Sequence, residues 1–267
     1  MRASRPGWAM GLTADFGAKT KQRLRHIEFK ASRSNNEQPR DTVLAAVILS
    51  GGASQRMGSP KALLPYRGKT FLEHLREVSS HPRIGERRVV LGPHGDAIRA
   101  AIALPDSEIV VNPDWGKGQL SSIHAAIRSL PDNVEGMILF LVDHPLVSST
   151  LVENLIDHFY AEAQQSSSSR SDSTLQSVSP DFAAGRGLAL PGGKTSTIVL
   201  PTYNTKRGHP VIFAASLFPE LLAAPLEQGA RTVVWAHASE VIEVPTTEAG
   251  CVMNVNDSNA FQRFLEA

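Results

Sequence analysis

Residues 43–49 form an unbroken apolar run that ends directly in Ser50-Gly51-Gly52. A strand with one wetted face alternates polar and apolar side chains. An uninterrupted run of this length, closed by glycines, therefore predicts a strand covered on both faces, as in a parallel sheet. Three more short strands are expected at 88–91, 108–111 and 137–142, the last again apolar throughout. Helical stretches separate them. One covers 71–78 behind Thr70 as N-cap, one covers 94–102 and stops near Pro105, and one covers 120–130. In the last, Ile123, Ala126, Ile127 and Leu130 recur at the i, i+3, i+4, i+7 spacing. A fourth helix is capped by Ser149 and reaches about Tyr160. Regular β-α alternation predicts an α/β fold: a Rossmann-like, mostly parallel sheet in a three-layer α/β/α sandwich.

Two segments stand outside this pattern. Residues 1–41 are basic (Arg2, Arg5, Lys19, Lys21 and Arg23 among others) and carry no sustained period. They read as a disordered extension, a targeting or docking arm, or a start placed upstream of Met10. Residues 162–195, with the serine run 166–169, read as a disordered insertion inside a domain that spans 42–267. After it, strands are expected at 197–200, 211–213, 241–244 and 251–255, and helices at 218–223, 231–238 and 258–265.

Composition excludes several function classes. A net charge of +1 supplies no field for nucleic acid or an anionic membrane surface, so neither is expected as a partner. The single cysteine, Cys251, rules out an internal disulfide and a cysteine-based zinc cluster. No apolar run approaches the roughly 18 residues of a membrane span. The N-terminal residues lack the apolar stretch of a secretory leader, which sets a cytoplasmic expectation.

In parallel α/β sheets ligands bind beyond the carboxyl ends of the strands. That rule selects the loop 50–61 and the tip 143–145. The first loop joins Ser50, Gly51, Gly52, Ala53 and Ser54 to Arg56, Gly58 and Lys61. Glycines let backbone N–H groups approach a polyphosphate, Arg56 can fork onto its oxygens, and Lys61 adds a mobile point charge. The spacing is neither that of a P-loop nor the Gly-x-Gly-x-x-Gly of dinucleotide folds. Read alone, it is equally an ordinary glycine turn with two cations. Asp143, at the end of a buried strand, suits a hard cation, and equally a turn cap. Gln119, Ser121 and Ser122 open a helix, where Ser121 is either a ligand contact or an N-cap. Arg207, Gly208 and His209 precede Pro210 and a strand, and without a ligand they would only shape that turn.

The string from Leu49 to Lys61 resembles the Leu-Ala-Ala/Gly-Gly-x-Ser/Gly-x-Arg-Met-Gly-x-x-Lys signature of nucleotidyltransferases with a nucleotide-diphosphosugar-transferase-like fold. Gly51, Gly52, Arg56, Met57, Gly58 and Lys61 match by position. Within that group the chain looks most like the molybdenum-cofactor nucleotidyltransferases, through Asp143-His144-Pro145-Leu146-Val147, the 116–123 segment and the 201–211 segment. Residues 60–65 and 68–70 look like the cytidylyltransferase branch.

The resemblance implies a triphosphate cradled by Leu49 to Ser54, with Arg56 and Lys61 stabilising charge at the α-phosphate. It places Gln119, Ser121 and Ser122 beside the nucleobase. Mg²⁺ would sit on Asp143 and Asn256, with Asn254 as the competing ligand, and His144, Arg207, Gly208 and His209 would face the acceptor. It implies transfer of CMP from CTP to the terminal phosphate of molybdopterin, with a molybdoenzyme as a conceivable partner. GTP as donor and a sugar or polyol phosphate as acceptor are the alternatives inside the class. A nicotinamide-dependent oxidoreductase and a non-catalytic nucleotide-binding accessory protein are those outside it. The chain departs from the family pattern near its end: Asn254-Val255-Asn256 is retained, but Asp257-Ser258-Asn259-Ala260 replaces the family's Thr-Pro-Glu-Asp.

Overall fold

The computed structural model describes residues 43–52, 59–168, 197–256 and 261–262, with backbone alone over 162–168. The expected α/β/α sandwich is present. Strands β1 (Val43–Ser50), β4 (Ile84–Leu91), β5 (Ile109–Val111) and β6 (Val134–Leu141) are parallel, with β1 between β4 and β6. Strand β9 (Val211–Ala214) runs antiparallel to β6 and to β7 (Ile198–Tyr203), and β10 (Val241–Pro245) pairs parallel with β7 at the edge. The order across the sheet is β10-β7-β9-β6-β1-β4-β5. A short strand β8 (Lys206–Arg207) folds back on β7, and β2 (Pro65–Tyr66) pairs with β3 (Lys69–Thr70) in a separate hairpin.

The pleat of β1 shows why its sequence is apolar throughout. Leu44, Ala46 and Ile48 enter one core with α1 (Phe71–Val78), α2 (Gly95–Ala101) and α4 (Ser149–Ser168). Ala45, Val47 and Leu49 enter the other with α3 (Gln119–Ser129), α5 (Phe218–Ala223) and α6 (Arg231–Ala236). Every residue from Leu44 to Leu49 is buried. The expected helix boundaries up to residue 238 hold within a few residues except in α4, which continues to Ser168, into the serine-rich stretch. Its cap is Ser148, whose Oγ accepts from the Leu151 N–H at 3.0 Å, rather than Ser149. The rest of the expected insertion, 169–195, all of 1–42, and all of the expected closing helix 258–265 except 261–262 lie outside the described residues. Among the described residues no helix is long and apolar enough to cross a membrane.

Two strand expectations need correction. β4 begins four residues earlier than expected, because its charged residues are satisfied within the fold. Arg87 pairs with Glu108 at 3.1 Å, and Arg88 reaches Glu86 at 2.9 Å and the Ser129 carbonyl at 3.1 Å. No strand forms at 251–255: Ala249–Val252 is a 3-10 turn and the following residues are irregular. This stretch is held by single hydrogen bonds across the strand ends, from His209 N–H to the Cys251 carbonyl (2.8 Å) and from Val255 N–H to the Asp143 carbonyl (2.7 Å). Gly208 permits the approach, since a Cβ there would lie 2.6 Å from the Cys251 carbonyl oxygen.

Helix α1 starts with a complete capping box: the Glu73 N–H donates to Thr70 Oγ1 at 3.2 Å, and the Thr70 N–H donates to Glu73 Oε2 at 2.8 Å. Thr70→Ala is expected to cost about 1 kcal/mol. The Thr70→Ala/Glu73→Ala double variant should lose less than the sum of the single losses, because each side chain caps the other's backbone. Urea unfolding of the four proteins measures both quantities; strict additivity would mean the two bonds act independently.

Candidate functional site

The carboxyl ends of β1 and β6 open onto a cleft of about 640 Å³. Its floor is Leu49 to Gly52 from β1 and Leu141 to Asp143 from β6. Lys61 enters from the 3-10 turn Lys61–Leu63, Asn256 from the C-terminal segment, and Gln119 and Ser122 from the start of α3.

Three of the expected residues meet at one point. Lys61 Nζ donates to Asn256 Oδ1 at 2.8 Å and to Asp143 Oδ2 at 3.3 Å. The Val255–Asp143 backbone bond fixes this meeting, since it delivers Asn256 to the tip of β6. Asn254 is exposed and does not line the cleft, so of the two asparagines the geometry selects Asn256. A carboxylate and an amide oxygen converging on one ammonium form a hard-oxygen donor pair. That chemistry fits Mg²⁺ or Mn²⁺. Among the described residues no group of three or more His, Cys, Asp or Glu could hold a metal ion. The pair therefore suits a cation that completes its shell with substrate phosphates and water, as Mg²⁺ characteristically does.

The close fit of the first loop depends on Gly92, just past β4. A Cβ there would lie 2.2 Å from the Gly51 carbonyl oxygen. Ser122 Oγ closes the other side, 2.8 Å from where a Gly51 Cβ would stand. Gly51 is thus clamped between β4 and α3. Sequence reasoning passed over Gly92, which belongs to no motif. Arg56, Ala53 and Ser54 lie outside the described residues.

Asn112 is a second residue the sequence concealed, where it reads only as the end of a strand. It is buried, its Nδ2 donates to Ser121 Oγ (2.9 Å) and Ser122 Oγ (3.0 Å), and its Oδ1 accepts the Asp114 N–H (2.9 Å). Ser121 Oγ lies 2.8 Å from the Gly118 carbonyl and 2.9 Å from that of Asp114. Ser121 is therefore a latch inside the protein, outside the cleft lining, while Ser122 and Gln119 do line it.

The residues expected at the acceptor divide. His144 and His209 stack obliquely next to Asp143, ring centroids 4.9 Å apart. Burial pushes both imidazoles down, His209 to about 4, so both are neutral near pH 7. Among the described residues the Nδ1 atoms of both rings lack a hydrogen-bond partner. Gly208 serves the packing against Cys251 described above. Arg207 is exposed on β8 and paired with Glu243 at 2.7 Å, outside the cleft lining. Spacing put it beside His209, but the strand directs it to the sheet surface.

A family model described as a MobA-like NTP transferase domain matches residues 46–241. Nicotine blue oxidoreductase from Paenarthrobacter nicotinovorans is 38% identical over 114 residues, covering 42% of this chain and 55% of that protein. The chain thus spans about half the length of that relative. Among solved structures, Rv0371c from Mycobacterium tuberculosis superposes with a TM-score of 0.65 at 24% identity, over 85% of this chain and 100% of that one. Its manganese complex gives 0.59 at 23%, with the same coverage. Molybdopterin-guanine dinucleotide biosynthesis protein A from Archaeoglobus fulgidus gives 0.53 at 18%, over 84% and 97%. These likenesses establish a shared fold.

Gly92→Ala tests the clamp. Overpacking against a backbone carbonyl is expected to cost about 1–3 kcal/mol, read as a lowered urea midpoint. An unchanged midpoint would mean that Gly51 is not held against β4.

Proposed function

Because the chain belongs to the MobA-like NTP transferase domain family, we propose that it moves a nucleoside monophosphate from an NTP to a phosphorylated acceptor, releasing pyrophosphate. The observation that carries this reading is the convergence of Lys61, Asp143 and Asn256 at the strand ends. The donor is CTP and the acceptor the terminal phosphate of molybdopterin, on the strength of the sequence resemblance at 60–70 and 116–123. The relation to a protein named for molybdopterin-guanine dinucleotide biosynthesis keeps GTP as the competing donor.

An acceptor phosphate is already anionic near neutral pH, so attack on the α-phosphorus needs no strong base. The acceptor oxygen forms the new P–O bond while the bond to the β-phosphate oxygen breaks, and pyrophosphate carries away the electron pair. Catalysis then reduces to alignment and to neutralising charge that grows on the phosphoryl oxygens. Lys61 supplies one positive charge on a flexible stem, and Arg56, outside the described residues, would supply a second. Asp143 and Asn256 would hold a divalent cation, Mg²⁺, which would screen the triphosphate and polarise its oxygens. The manganese complex of a protein with this fold supports a divalent-metal site. His144, buried, and His209, half-buried, both neutral, wall the acceptor side of Asp143.

One observation favours a second reading. A relative 38% identical over 114 residues bears the name of an oxidoreductase. On that reading the same cleft holds a nicotinamide nucleotide, with the pyrophosphate where the triphosphate would lie. Against it stands the absence of the Gly-x-Gly-x-x-Gly fingerprint.

Incubation of the protein with molybdopterin, Mg²⁺ and each of the four NTPs, reading pyrophosphate, separates these cases. The expected result is turnover with CTP preferred in kcat/KM. Preference for GTP would overturn the donor assignment, and oxidation of NADH or NADPH without pyrophosphate release would favour the second reading. Lys61→Ala is expected to lower kcat by about 10²-fold, as for other preorganised charge stabilisers. A pure KM effect would confine Lys61 to ground-state binding. Asp143→Ala should abolish turnover at saturating Mg²⁺ with the fold retained.

A further inference from the structure

One wall of the cleft is still without a role. Trp115 lines it from the 3-10 turn Trp115–Lys117, and the residue is 39% exposed. A large aromatic side chain left partly open to water forgoes some of the burial that would stabilise the fold. Among the described residues no ring or guanidinium lies over it, whereas the other strongly exposed indole, Trp235, carries the Arg231 guanidinium 5.4 Å from its ring.

The turn beneath Trp115 is firmly held. Buried Asn112 takes the Asp114 N–H and ties both serines of α3, Ser121 closes back onto the Asp114 and Gly118 carbonyls, and the Lys117 N–H donates to the Asp114 carbonyl at 2.8 Å. The indole therefore projects from a fixed base. The next residue, Gly116, also lines the cleft, and a Cβ there would meet no described protein atom within 4 Å. The space over Gly116 is left clear although packing does not require a glycine.

Sheet order places Trp115 relative to the rest of the cleft. Strand β6 and the His144–His209 pair lie on one side of β1, and β4 and β5 lie on the other. Trp115 follows β5, so it stands across the Lys61–Asp143 pair from the two histidines, on the side of the first loop and α3. We propose that Trp115 is the stacking platform for the nucleobase of the donor NTP, an inference that rests on reading the cleft as an NTP site. Every base has a π-face, so stacking supplies affinity without choosing among bases. The choice between pyrimidine and purine then falls to edge contacts from groups such as Gln119.

Calorimetric titration of the full chain with CTP, GTP and inorganic tripolyphosphate in the presence of Mg²⁺, without acceptor, tests this. Trp115→Ala should weaken CTP and GTP alike by about 5- to 100-fold, as for loss of one stacked base. Trp115→Phe should stay within about threefold of wild type, and tripolyphosphate should bind all three proteins equally. Unchanged NTP affinity in Trp115→Ala would overturn the assignment. An equal loss for tripolyphosphate would do so too, since it would show a distorted loop rather than a lost stack. Wild-type protein that binds tripolyphosphate but gains nothing from a base would refute the stack alone. Failure of all three ligands with wild type would refute the NTP reading beneath it.

Discussion

The Lys61 ammonium, shared between Asp143 and Asn256, is the contact on which the organisation of the cleft depends. It joins three pieces of chain that are remote in sequence: the exit of β1, the tip of β6 and the C-terminal segment. A part-buried ammonium requires matched oxygen partners, and a part-buried carboxylate requires a cation. Each piece therefore supplies what the others lack. The supporting features serve this meeting. The Val255–Asp143 backbone bond brings Asn256 to the site, and the close approach at Gly208 allows that segment to cross the strand ends.

The two-sided character of the site follows from sheet order. β1 lies at the centre of the parallel set, with β6 on one hand and β4 on the other. A polyphosphate above β1 can then present its reacting phosphorus toward β6 and its nucleoside toward β4 and β5. The antiparallel insertion of β9 beside β6 brings His209 against His144. The proposed acceptor side would accordingly be built by later parts of the chain than the proposed donor side.

The sequence revealed the parts of this arrangement that depend on one-dimensional pattern. Unbroken apolar runs located β1 and β6, and the rule that ligands gather at carboxyl strand ends pointed to Lys61 and Asp143 before any fold was known. It was less informative where polar residues are satisfied by distant partners. Glu86 and Arg87 concealed the start of β4, because their pairing with Arg88 and Glu108 cannot be read from a strand pattern. Apolar residues at 251–255 resembled a strand, yet they cross the strand ends instead of joining the sheet. Arg207 and Ser121 matched motif positions, but the direction of a short strand and an internal hydrogen bond took them out of the cleft. Gly92, Asn112 and Trp115 carry no local signature, since their roles arise only when β4, β5 and α3 are brought together.

The proposed reaction rests on a cation site formed by Asp143 and Asn256 and completed by an NTP. The direct measurement is the electron paramagnetic resonance signal of free Mn²⁺ titrated with protein, with and without CTP, for the wild type, Asp143→Ala and Asn256→Ala. CTP and wild-type protein together should deplete the free-ion signal beyond what CTP does alone, and Asp143→Ala should abolish this extra depletion while Asn256→Ala reduces it. Depletion by Asp143→Ala equal to that of the wild type would contradict it.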